Sequence, residues 1–252
     1  VELELAADKP VAMIAVRLSD IAPDDKATRI SYGLLNLTHR NSHEFPEPLE
    51  PGKRYRVKVD LNYIGQVIPA GHRIRVAVST SYWPMAWPAP ESTGVKLYTS
   101  NSRLLLPTRQ PQPEDAQLRP FEPPEAAPPE RMEVIRPEYH NWTVVRDLAT
   151  DVSQLKVVDD SGSQYIQSID LAISRIAKEW YTYQGDDFNT VQGETIWERS
   201  FTRNHWSVRT KTRTVLSSSP ENFYLRAELD AYEGDKRVYS QNWDYVIPRD
   251  LV

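Results

Sequence analysis

Pro69-Ala-Gly-His-Arg-Ile-Arg-Val-Ala-Val-Ser-Thr-Ser-Tyr-Trp-Pro84 carries the clearest pattern in this chain. Ile74, Val76 and Val78 alternate with Arg73, Arg75, Ala77 and Ser79, a period of two that a pleated strand turns into one dry face and one wet face. Pro69 and Gly71 punctuate its start. At its far end Tyr82, Trp83 and Trp87 interleave with Pro84, Pro88 and Pro90, whose fixed φ angles stiffen an aromatic loop. The stretch predicts a strand that presents an aromatic surface, and it contains no catalytic motif.

The same period recurs on either side. Val1, Leu3 and Leu5 open the chain inside a strand pattern, which suggests a piece of a longer protein. Val11 to Leu18 and Thr28 to Leu37 read as strands around a polar Ala22 to Lys26 turn, and His39 to Pro51 as a polar, Pro-punctuated loop. Tyr55, Val57, Val59 and Leu61 alternate with Arg54, Arg56, Lys58 and Asp60, so this segment is expected to pair with Arg73 to Ser79 through the Ile64 to Gly71 connection. Lys96 to Tyr98 and Arg103 to Leu106 complete a set of short strands that fits a sandwich. Eight Pro among the 25 residues from Pro107 to Arg131 exclude helix and central strand. That segment reads as an extended strap, with a proline-rich ligand at Pro120 to Pro123 as the alternative.

The second half predicts longer strands. Trp142 to Leu148 and Val152 to Val158 lead into Asp159-Asp-Ser-Gly162 as a turn. Residues 163–180 are ambiguous between helix and strand; Ile169, Leu171 and Ile173 alternate, and the neighbouring strands favour strand. Val208 to Leu216 and Phe223 to Ala231 have opposite parity. A turn within Ser217 to Asn222 sets Lys211 opposite Glu228, Arg209 opposite Asp230 and Leu216 opposite Phe223. Glu233-Gly-Asp235 makes the last hairpin. The expected architecture is mainly β: a truncated jelly-roll (galactose-binding-like) sandwich over residues 1–107, a Pro-rich linker over 108–130, and an antiparallel meander over 131–252, with closure into an open barrel as an option.

Composition narrows the function. The net charge of −5 is spread evenly, with 15 basic and 16 acidic side chains in residues 1–130 and 15 and 19 in the rest, so no nucleic-acid footprint stands out. No Cys is present, which removes disulfides and thiolate chemistry and suits a cytoplasmic setting. No run approaches the ~18 apolar residues of a membrane span. None of the nine Gly is spaced for a nucleophile elbow, a dinucleotide loop or a phosphate loop. His39 and His43, four apart beside Arg40 and Glu44, have metal-ligand spacing but lie before Pro46 and Pro48, where no helix aligns them, so they read as loop or interface polarity. Ser153 to Lys156 matches Ser-x-x-Lys inside a strand pattern. Asp24-Asp25, Asp159-Asp160 and Asp186-Asp187 sit in turn composition rather than as a glycosidase pair. His72, His140 and His205 read as structural. No catalytic residue, metal site or cofactor is assigned.

GHRIRVAVSTSYWP at 71–84, SRLLLP at 102–107 and YGLLNLTHRNSHEFPEPLEPGKRY at 32–55 resemble the C-terminal β domain of the cocaine-esterase and X-Pro dipeptidyl-peptidase family of serine hydrolases, in its acyl esterase branch. AYEGDKRVYSQNWDYVIPRDLV at 231–252 is similar to a tail that some members carry. The resemblance implies a non-catalytic jelly-roll domain that packs on an α/β-hydrolase domain supplying Ser, His and Asp, none of which has a counterpart here. It makes His39, Arg40, His43, Glu44, Tyr82, Trp83 and Trp87 candidates for a domain interface or cleft, with the catalytic domain as partner. It also implies that N-terminal strands of the sandwich are missing, leaving an unpaired edge. The second reading is a carbohydrate- or small-ligand-binding module, using Trp83 and Trp87 or a lipocalin-like cavity in residues 131–252.

Overall fold

A computed structural model describes residues 1–110 and 112–252; Pro111, within the expected linker, lies outside the described residues. The strands of the first half are β1 (Glu2–Ala7), β2 (Met13–Ile21), β3 (Ala27–Asn36), β4 (Tyr55–Lys58), β5 (Arg73–Ser79) and β6 (Val95–Leu97). They form two three-stranded antiparallel sheets, ordered β4-β1-β6 and β3-β2-β5. Leu3, Leu5 and Ala7 from one sheet meet Ile14 and Val16 from the other, and Leu37, Leu49, Val57 and Val59 close the core. Leu5, Ile14 and Val16 are wholly buried, each stabilising the sandwich by about 1.5–3 kcal/mol relative to exposure. The outward face of β1 holds a surprise for the alternation rule: Glu4 is buried too, ringed by Asn101 Nδ2 at 3.0 Å, Arg54 Nη1 at 3.4 Å and Arg56 Nε at 3.5 Å.

Several expectations need correction. β4 and β5 do not pair: β4 lies against β1 and β5 against β2, in opposite sheets, because Val57 and Val78 approach one core from its two sides. Arg103 to Leu106 supplies a single bridge, Glu2 to Arg103, and no strand. The dry face expected on β5 is dry only at Val78, which packs on the core; Ile74 and Val76 are exposed. The strap contains one short 3-10 turn, Pro113–Gln117, which Pro at its first position permits.

The second half is one eight-stranded antiparallel sheet of β7 (Met132–Arg136), β8 (Tyr139–Asp147), β9 (Val152–Ile166), β10 (Leu171–Gln184), β11 (Asp187–Arg203), β12 (Trp206–Ser218), β13 (Asn222–Glu233) and β14 (Lys236–Pro248). The order is β14-β13-β12-β11-β10-β9-β7, with β8 also on β9, so the sheet stays open rather than closing into a barrel. Residues 171–184 are strand, as the alternation predicts. Three two-residue hairpins start on a residue with positive φ, Gly185, Asn204 and Gly234.

Asp159 to Gly162 is not a turn; it lies inside β9. Gly162 has φ +71°, and a Cβ there would lie 2.2 Å from the Arg136 carbonyl oxygen, so this glycine marks a bulge where β7 closes on β9. Asp160 accepts from Arg136 Nη1 at 2.6 Å and Nη2 at 2.8 Å, and Asp159 accepts from Arg175 at 2.6 Å. The register of β12 and β13 differs from expectation by two residues: Lys211 faces Asp230, Arg213 faces Glu228 and Ser218 faces Phe223. Pro220 cannot donate to the ladder, and the Ser219 hydroxyl accepts from the Glu221 and Asn222 amides, which confines the turn to three residues. An even slip keeps every side chain on its predicted face.

Those faces differ. Arg209, Lys211 and Arg213 project with Glu194, Glu198, Glu228 and Asp230 on one side, where Arg213 Nε reaches Glu194 at 2.7 Å. The other side carries Val157, Ala177, Tyr181, Trp197, Leu216, Phe223, Leu225, Leu229 and Trp243. A sheet face of that kind needs a second layer.

Candidate functional site

The aromatic loop after β5 is that second layer, at one end of the apolar face. Trp83 stands edge-on to Tyr181 of β10 at 5.8 Å and to Trp87 at 5.0 Å, and Trp87 stands edge-on to Phe223 of β13 at 5.7 Å. Trp87 Nε1 donates to Ser218 Oγ at 2.9 Å, while the buried Trp83 Nε1 has no partner among the described residues. Pro88 is fully buried behind them. The indoles therefore face the second half of their own chain, and their rings are engaged in T-shaped contacts that leave no flat stacking platform. Tyr82 remains on the sandwich, edge-on to Tyr32 at 5.8 Å, with its hydroxyl accepting from Arg29 Nη1 and Arg17 lying 5.2 Å over its ring.

Arg249 locks this junction, and nothing in the sequence pattern singles it out. Buried just after β14, it donates through Nη2 to the Pro88 carbonyl at 2.5 Å, through Nη1 to Ser218 Oγ and the Ser219 carbonyl at 3.4 Å each, and through Nε to the Val252 carbonyl at 2.9 Å. Its guanidinium also lies 4.8 Å over Phe223. No carboxylate is among these partners, and burial pushes its pKa down to about 10. It stays charged at neutral pH and donates to four acceptors, of which the buried Pro88 carbonyl would otherwise be stranded. The chain end adds a second tie: Asn36 Nδ2 and Thr38 Oγ1 donate to the Leu251 carbonyl at 2.9 and 2.8 Å.

The His39 to Glu44 loop lies elsewhere. Arg40 turns inward: Nη1 donates to the Leu37 carbonyl at 3.1 Å and the Glu47 carbonyl at 2.7 Å, and the guanidinium stacks on Tyr55 at 4.6 Å. It shapes its own loop. His39 and His43 are in contact, Nδ1 to Nδ1 at 3.3 Å, in an exposed position. Among the described residues no third His, Cys, Asp or Glu joins them to complete a metal-binding group. Two of the three histidines read as lone side chains have partners: His72 Nδ1 lies 2.8 Å from Asp20, and His140 Nδ1 lies 3.0 Å from Asp159. No helix is long and apolar enough to cross a membrane.

What is left uncovered is apolar. Tyr63, Ile64 and Val67 of the β4–β5 connection are exposed, as are Ile74 and Val76 on β5, whose outer edge pairs with no strand among the described residues. The chain exposes 17226 Å² in all, whereas a compact monomer of 29.0 kDa exposes roughly 11,000 Å². Residues 1–118 match the model of the X-Pro dipeptidyl-peptidase C-terminal non-catalytic domain. The chain is similar to a cocaine esterase of Rhodococcus sp. (strain MB1 Bresler), 34% identical over 68 residues; that stretch is 27% of this chain and 12% of the esterase. The two-sheet β fold lies within this matched span, so residues 1–118 are similar to the X-Pro dipeptidyl-peptidase C-terminal non-catalytic domain in sequence.

Proposed function

We propose that this chain is the non-catalytic C-terminal region of a multidomain serine hydrolase acting on ester or amide bonds, and that its sandwich packs on an α/β-hydrolase domain and shapes that domain's cleft. The observations that carry the reading are the exposed Tyr63, Ile64 and Val67 of the β4–β5 connection and the exposed Ile74 and Val76 of β5, whose outer edge pairs with no strand among the described residues; we take them together as the interface patch. Exposed apolar side chains on and leading into a free edge strand are a liability in an isolated domain and an asset at an interface. Its place on a domain of this family fits a large neighbouring domain better than a small ligand. The sugar-binding reading loses its support, because Trp83 and Trp87 are spent on the internal junction.

Two measurements test it. The isolated chain should neither turn over p-nitrophenyl esters nor be labelled by a fluorophosphonate; stoichiometric serine labelling would overturn the non-catalytic role. A naphthalene-sulfonate dye should bind the isolated chain at the patch and lose most of its signal in the Val76→Glu variant. Unchanged dye binding would remove the patch from the argument.

A further inference from the structure

The Trp83–Trp87 loop covers only the end of the apolar face near Tyr181, Gly193 and Phe223. At the opposite end Ile173 pairs with Phe201, Arg175 with Arg199 and Ala177 with Trp197, all projecting to the same side. Ile173, Arg175, Arg199, Phe201 and Gln164 line an open depression of about 280 Å³ there. Phe201 is 40% exposed. Two arginines directly opposite each other destabilise a strand pair unless anions compensate. Arg175 has Asp159 at 2.6 Å; Arg199 rests over Trp197 at 5.5 Å and has no carboxylate partner among the described residues. This end of the face asks for an apolar anchor accompanied by negative charge.

The chain carries such a segment. In the strap, Leu118 is 70% and Phe121 104% exposed, and Glu122 and Glu125 follow them. Glu122 is paired only with its neighbour Arg119. The strap enters the sheet at this end, since Met132 pairs with Ile166 and Leu171 pairs with Ile166 from the other side. The eleven residues from Phe121 to Met132 span roughly 34 Å as an extended Pro-rich chain, whereas crossing from β7 over β9 and β10 to β11 takes about 15 Å. Reach is ample.

We infer that the bare end of the apolar face is a docking surface for the strap of the same chain: Phe121 enters the depression beside Ile173 and Phe201, and Glu122 and Glu125 meet Arg199. The strap then supplies the missing second layer at this end, as the tryptophan loop does at the other, and the meander is closed to other partners on this face.

The absence of cysteine makes the test clean. In the full chain, Pro120→Cys combined with Gln164→Cys should form an intramolecular disulfide about tenfold faster than Pro120→Cys combined with Arg226→Cys, whose second site lies on the opposite face, because crosslinking follows the docked population and both variants keep Phe121 and Phe201. Equal rates, or crosslinked dimers in place of monomers, would overturn the inference. Should the Gln164 variant fold poorly, chymotrypsin cleavage after Phe121 gives an independent reading. The exposed Arg199→Glu substitution should speed cleavage about tenfold through the open population, and adding Glu122→Lys and Glu125→Lys should restore protection. A rate unaffected by Arg199→Glu would also overturn it.

Discussion

Replacing Trp87 by Ala removes one of the side chains that tie the sandwich to the meander, and its cost can be worked from its contacts. Withdrawing the indole from its buried position costs about 1.5–3 kcal/mol. The edge-on contacts with Trp83 at 5.0 Å and Phe223 at 5.7 Å add about 0.5–1.5 kcal/mol each. The 2.9 Å bond to Ser218 adds about 1 kcal/mol. Trp87 keeps some solvent exposure, so the expected loss is about 3–5 kcal/mol, within the range for large-to-small aromatic substitutions. Because its partners are Ser218 and Phe223 of the meander, the loss falls on coupling between the halves rather than on either core. Urea unfolding followed by far-ultraviolet dichroism and by tryptophan emission reads this directly. The parent chain should give coincident transitions; Trp87→Ala should lower the midpoint and separate the sandwich from the meander. Trp87→Phe, which keeps a ring and loses the indole donor, should cost about 1–2 kcal/mol and keep the transitions together. Coincident transitions in Trp87→Ala with a stability change below about 0.5 kcal/mol would refute the reasoning.

Arg249→Met leaves the buried Pro88 carbonyl without its donor and should cost about 1–3 kcal/mol in the same urea assay, because a buried group left unpaired is penalised. Gly162→Ala sets a methyl 2.2 Å from the Arg136 carbonyl oxygen at a φ of +71°; a loss of about 2 kcal/mol or more is expected, with faster amide exchange confined to β7. The Arg136 guanidinium, followed by the Gly162 amide, holds the Asp160 carboxyl below the usual carboxylate range. A depressed folded-state pKa contributes stability that is fully present above about pH 4 and is lost as pH falls through the folded value. An acid titration by dichroism should therefore show a shallower loss below about pH 4 in Asp160→Asn, whose side chain does not titrate there. Leu5→Ala, at a fully buried position, should cost about 2–5 kcal/mol.

Period-two alternation made the strands legible, and with them both halves of the fold, because one buried face leaves its imprint on every second residue. Pairing was less legible. Val57 and Val78 alternate alike, and alternation cannot tell whether two strands share a sheet or face each other across a core; here they do the latter. The β12–β13 register depended on which residues of Ser217 to Asn222 turn, a local matter of Pro220 and Ser219 that a two-residue slip leaves invisible to face patterning. Gly162 looked like a turn glycine, yet its positive φ serves a bulge against Arg136. Trp83 and Trp87 read in the sequence only as an aromatic, Pro-stiffened surface, because the residues they pack on, Tyr181, Ser218 and Phe223, lie about a hundred or more residues away. Arg249 carried no signal: a basic residue beside Asp250 near a polar chain end reads as surface, and only the fold brings Pro88 to it.

Hydrogen exchange of Tyr63 to Val67 and of β5, compared between the isolated chain and the same chain joined to the α/β-hydrolase domain that we propose as its partner, tests the central claim most directly. The scaffold account predicts fast exchange at these amides in the isolated chain and strong protection in the joined protein, with the Trp87 junction unchanged in both. Equal exchange at Ile74 and Val76 in the two forms would contradict it.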